Sequence, residues 1–126
     1  MVRIIIAVML IGHGLAHVSG FLISWTKTEE GFKITKPWIF SQNVLIKSRI
    51  GKVFGIFWAL ALLCFVGAGL SIFFHFYDWK ILATIGVVFS LISIIPWWST
   101  VPLGAKIGLV FDLIVFAYLV YFNPMV

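Results

Sequence analysis

The sequence predicts an all-α integral membrane bundle of four transmembrane helices, and three observations predict it. Of 126 residues, 63% are hydrophobic and only 10% are charged, against roughly 45–50% and about 25% in a soluble domain. That leaves too little polar side chain to cover a water-facing surface. Four apolar stretches approach the about 20 residues that cross a bilayer. These stretches are continuous rather than alternating, so their backbone groups must be satisfied within helices and not across barrel strands. Such a composition excludes a soluble enzyme, a disordered segment and a nucleic-acid-binding domain.

The first stretch runs from about Ile4 to Trp25, the second from about Val53 to Phe74, the third from about Ile81 to Trp98 and the fourth from about Lys106 to Phe122. Trp25, Tyr77, Trp79, Trp97, Trp98 and Tyr121 mark their ends, where amphipathic rings sit at the headgroup level. Pro96 closes or kinks the last turn of the third helix, because it has no N–H to donate. Arg3 followed by an apolar run also fits a signal peptide. The run is longer than an h-region and a basic loop follows it, so a retained helix is the expectation. The last two connections are short, which makes helices two, three and four sequential antiparallel neighbours. No repeat or low-complexity tract divides the chain, so residues 1–126 form a single four-helix domain.

The one long connection, residues 26–52, carries Lys27, Lys33, Lys36, Lys47, Arg49 and Lys52. Its second half, Pro37 to Lys47, mixes aromatic, aliphatic and basic residues. It reads either as an interfacial or re-entrant segment or as an ordered loop capping the bundle. Adding Lys106, seven Lys/Arg lie on one side of the membrane, and only Arg3 and Lys80 on the other. The positive-inside rule puts loop 26–52 in the cytoplasm and both termini outside. A net charge of +5 is then explained by an anionic membrane face, with no nucleic acid as partner. Cys64 is the single cysteine, so dithiol chemistry within the chain is excluded.

Small residues recur at i, i+4 spacing: Gly12, Ala16 and Gly20 on the first helix, Gly51, Gly55 and Ala59 on the second, Gly104 and Gly108 on the fourth. In lipid, such stripes let backbones approach closely and supply van der Waals contact. They predict a tight bundle, with a homo-oligomer face as the alternative.

Three ionisable side chains fall well inside the spans: His13, His17 and Asp112. Burial of such groups is costly enough to make each a functional hypothesis. His13 and His17 share one helix face. At about 1.5 Å per residue, His17 lies about 12 Å and His13 about 18 Å in from Trp25, and Asp112 about 9 Å in from Lys106. The expectation is that His17 meets Asp112, with Ser90 and Ser93 at similar depth. Asp112→Asn is then expected to cost more stability than loss of any loop lysine. The cluster reads as a buried polar knot, as a proton-relay or quinone-contacting site, or as a metal site in which His13, His17 and Asp112 bind zinc or non-haem iron. A bis-histidine haem is disfavoured, because His75 lies at the opposite end of the next helix. The sequence names no cofactor and does not decide whether the protein is an enzyme.

The segment His13-Gly14-Leu15-Ala16-His17-Val18-Ser19-Gly20-Phe21, following an N-terminal arginine, resembles the first-helix pattern of the DoxX-like membrane proteins. The departure is His17, where a lysine is usual. That resemblance implies a small accessory subunit beside other membrane proteins, with quinone-linked redox chemistry and His13 and His17 at the site. The four-helix small multidrug exporters, by contrast, need a glutamate in the first helix, and this one has no carboxylate. The partners expected are the bilayer and other membrane subunits or a second copy. The alternatives are a stand-alone proton- or cation-coupled transporter or channel, and a metal-binding membrane enzyme.

Overall fold

The computed structural model describes residues 1–28, 31–33, 39, 44–76 and 78–122, and these contain helices and turns but no strand. The helices are α1 (Val2–Ala16), α2 (Val18–Trp25), α3 (Arg49–Phe73), α4 (Trp79–Ile94) and α5 (Leu103–Ala117), the last running into a π-helical turn, Tyr118–Phe122. α1 and α2 are the halves of one apolar run, so the helices follow the four predicted stretches. Three are long and apolar enough to cross a membrane: Val2–Trp25, Arg49–Phe73 and Leu103–Tyr121. The fourth, Trp79–Ile94, is shorter.

Local chemistry sets the boundaries that differ from expectation. α3 starts at Arg49 rather than Val53 because the Ser48 hydroxyl accepts the Gly51 N–H at 3.2 Å, an N-cap bond that satisfies an otherwise orphaned donor. α4 ends at Ile94 rather than Trp98. Pro96 cannot continue the ladder, and the chain tightens into i→i−3 turns, with Trp97 N–H on the Ile94 carbonyl at 3.1 Å and Thr100 N–H on the Trp97 carbonyl at 2.8 Å. α5 starts at Leu103, directly after Pro102.

The break between α1 and α2 falls at His17 and has a side-chain cause. The His17 N–H donates to Gly14 O at 3.0 Å, an i−3 bond. The imidazole Nδ1 takes the place left at His13 O, also at 3.0 Å. A side chain inserted into the backbone ladder is a recognised origin of kinks. Ser19 Oγ donates to the Ala16 carbonyl at 3.0 Å, so the carbonyls at the joint keep partners.

α3 is the central helix and packs against α1, α2 and α4, whereas α5 leans chiefly on α4. Two apolar clusters fill the interior. One joins Ala7, Leu10, Phe65, Ala68 and Val87; the other, nearer the long loop, joins Ile23, Phe32, Ile46, Trp58, Ile94 and Trp97. Phe32 and Ile46 are buried, and Lys33 N–H donates to Thr100 O at 2.8 Å. The described parts of loop 26–52 therefore cap the bundle, on the same end as the 95–102 turns. The rest of the Pro37–Lys47 segment, apart from Ile39 and Val44–Lys47, lies outside the described residues, as does Tyr77.

The small-residue stripes are used unevenly. A Cβ on Gly20 would stand 2.0 Å from the Trp58 ring, one on Gly51 1.9 Å from Ile46 O, and one on Gly55 2.7 Å from Ser24 Cβ. Among the described residues, nothing stands within 4 Å of a Cβ on Gly12 or Gly104, while Gly69, outside the predicted stripes, touches Ala7 and Ile11 closely. The close approaches gather on α2 and α3. α5, whose stripe was expected to pack, has Asp112 as its one buried residue among those described.

Candidate functional site

Between the two apolar clusters lies a polar one. Asp112 and Ser90 are fully buried and His17 is 2% exposed; the His13 side chain retains 10%. His13 Nε2 lies 2.7 Å from Asp112 Oδ1. Ser90 Oγ lies 2.5 Å from Asp112 Oδ2 and 2.9 Å from His17 Nε2. Asp112 thus reaches both histidines, one directly and one through a hydroxyl.

The direct partner is His13, not His17 as expected. Counting depth from Lys106 placed Asp112 too shallow. With α5 starting at Leu103, Asp112 is nine residues in, about 14 Å at 1.5 Å per residue, a depth that still lies nearer His17, so depth alone does not select the partner. Ser90, on α4, fills the remaining gap to His17. Ser93 does not join: its hydroxyl donates to its own helix at Phe89 O, 2.7 Å away. His75 is exposed at the far end of α3 with φ of 60°, and takes no part. Cys64 is half-buried on α3 and packs near Gly86.

Aromatic rings enclose the cluster. Phe65 meets His13 edge-on at 4.8 Å, Phe111 lies 4.5 Å from His13, and Trp58 lies 5.4 Å from His17. The two imidazoles themselves pack edge to face at 4.8 Å. These walls carry no charge of their own. Apolar periodicity alone gave no means of distinguishing Trp58, Phe65 and Phe111 from other core residues.

One side of the cluster opens. A cleft of about 220 Å³ lies between the α1–α2 joint and the first turns of α5, lined by His13, His17, Ser19, Trp58, Gly104 and Gly108 among others. Gly108 stands beside the Cε1–Nδ1 edge of His13. Among the described residues, His13 Nδ1 has no hydrogen-bond partner, so His13 joins the buried carboxylate to the cleft.

His13, His17 and Asp112 each offer a ligand atom, all within 4.8 Å of one another. This donor set suits zinc or iron. In the observed arrangement, however, both Nε2 atoms are already engaged with Asp112 and Ser90. An ion would have to replace those bonds. Comparison with protein-family models, curated proteins and solved structures finds no match to the chain.

Proposed function

We propose that this protein is an integral membrane bundle of four spans that exchanges protons, through His13, with a small lipid-soluble carrier in the cleft, as an accessory subunit of a membrane redox complex. The observation that carries the reading is the His13–Asp112 pair, 2.7 Å apart and backed by a fully buried carboxylate, set beside an opening. With Nε2–H donated to Asp112, Nδ1 keeps its lone pair as a base. A carboxylate behind an imidazole orients that base and stabilises the imidazolium.

The membrane setting is supported by the outward faces of the helices. Ile4, Val8, Leu63, Val88, Val110 and Ile114 are exposed, an apolar exterior suited to lipid and excessive in water. The Ile95–Trp98 turns extend the short α4 toward the headgroups. Lys52 Nζ lies 5.4 Å over the Trp25 ring and Lys106 Nζ 5.2 Å over Trp98, pairing basic and interfacial residues at one end. With the surplus of lysines there, loop 26–52 faces the cytoplasm and the termini face outside. The accessory role is supported by the exposure of α5, and the quinone-class carrier by the resemblance of residues His13–Phe21 to DoxX-like proteins.

Purification from native membranes in mild detergent, with mass spectrometry of everything retained, tests the assignment. The expected result is a stoichiometric larger redox partner whose carrier turnover falls roughly a hundredfold in His13→Phe, the scale of lost general-base catalysis. A protein that purifies alone would move the weight to transport. Bound zinc or iron that disappears in His17→Ala would convert the cluster into a metal centre and end the proton reading.

A further inference from the structure

The bonding pattern of the cluster fixes its proton inventory. His13 O is a carbonyl and can only accept, so His17 Nδ1 must carry a proton. Three contacts remain: His17 Nε2 to Ser90 Oγ, Ser90 Oγ to Asp112 Oδ2, and Asp112 Oδ1 to His13 Nε2. Each needs one proton lying between its atoms. His13 supplies one as its Nε2–H tautomer, and the serine hydroxyl has a single proton for its two contacts. If Asp112 were a carboxylate and both imidazoles neutral, one contact would set lone pair against lone pair.

We infer that the cluster holds one proton beyond that state, and that the Ser90 hydroxyl carries it between Asp112 and His17. In one form Asp112 is the neutral acid: its Oδ2–H donates to Ser90 Oγ, and the Ser90 O–H donates to a neutral His17. In the other, Asp112 is the carboxylate and His17 the imidazolium. They interconvert when Oδ2 gives its proton to Ser90 Oγ as Ser90 gives its own to His17 Nε2. Two O–H bonds break, and one O–H and one N–H form. Both forms carry no net charge, which suits a site where an unpaired ion would be costly.

The groups around the cluster support that balance. α1 and the joint contribute His13 and His17, and α4 contributes Ser90. The α3 residues facing the imidazoles are the rings of Trp58 and Phe65. Among the described residues, no lysine or arginine pairs with Asp112. The extra proton is what neutralises the carboxylate, and the reading of His13 as the outlet to the cleft rests on the proposed function.

Infrared spectroscopy and ¹⁵N-histidine NMR of the full chain in detergent, without any carrier, test the inventory at neutral pH. The expected result is a protonated carboxyl stretch absent from Asp112→Asn, or an imidazolium signature from His17. An ionised Asp112 beside two neutral imidazoles would overturn the inference. Exchange of the stored proton for deuterium is expected to slow tenfold or more in Ser90→Ala and to recover in Ser90→Thr. An unchanged rate in a folded Ser90→Ala protein would remove Ser90 from the path. If the stored proton is found and His13→Phe leaves the complex's turnover unchanged, the inventory stands and the carrier assignment falls.

Discussion

Asp112→Ala is expected to lower stability by about 2–4 kcal/mol, the scale of breaking a buried, hydrogen-bonded charge or its network. Alanine removes the acceptor from His13 Nε2 and from Ser90 Oγ at once, in a place where the carboxyl is fully buried. Hydrogen bonds between membrane helices average only about 0.6 kcal/mol, but here one deletion strands two partners and opens a void. Thermal unfolding in detergent measures the loss, with Lys27→Ala and Lys47→Ala, both exposed, as references expected within about 0.5 kcal/mol of the parent.

Asp112→Asn is expected to behave differently, and here the geometry revises what sequence alone suggested. An asparagine can accept from His13 and donate an amide N–H to Ser90, which then donates to His17. The amide reproduces the bonding of the protonated acid. The fold is expected to survive nearly intact while proton exchange stops. Similar thermal losses for the alanine and asparagine variants would refute this view of the bonding.

Gly20→Ala should be the second large effect, at about 3 kcal/mol or outright failure to fold, the upper range of overpacking. The added Cβ would sit 2.0–2.4 Å from three atoms of the Trp58 ring. That ring is buried and packed against Phe32 at 5.9 Å and His17 at 5.4 Å, so any retreat breaks those contacts. Gly12→Ala, on the same predicted stripe, meets nothing within 4 Å among the described residues and is expected to unfold at or slightly above the parent temperature, since alanine is the better helix former. Equal losses in the two would refute the contact explanation, because helix propensity alone favours alanine over glycine at both positions.

Much of this architecture was legible because long apolar runs must satisfy their backbone groups within themselves. Uninterrupted apolar runs gave the helices. His13, His17 and Asp112 stood out because no other Asp, Glu, His, Lys or Arg lies deep in the apolar runs, and the structure brings all three together. Their pairing was not legible. It depends on how α5 packs beside α1, which depth along each helix does not report, and on a hydroxyl that resembles any other buried serine. Ser90 and Ser93 sit three residues apart on one helix, yet one bonds across the bundle and the other back to its own backbone. Glycine spacing likewise could not show that Gly20 touches a ring while Gly12 touches nothing.

The imidazole that replaces a backbone bond at His13 O makes a side chain part of the ladder that joins the two halves of the first apolar run. Its distal arm, Val18–Trp25, is about 12 Å long at 1.5 Å per residue. A ten-degree change at the joint would therefore move its tip by roughly 2 Å. That tip is tied to the neighbouring helix, because the Trp25 indole N–H donates to Lys52 O at 3.0 Å. His17 at the joint is also a terminus of the hydrogen-bonded chain, so a substitution there acts on the backbone ladder and on the polar cluster at once.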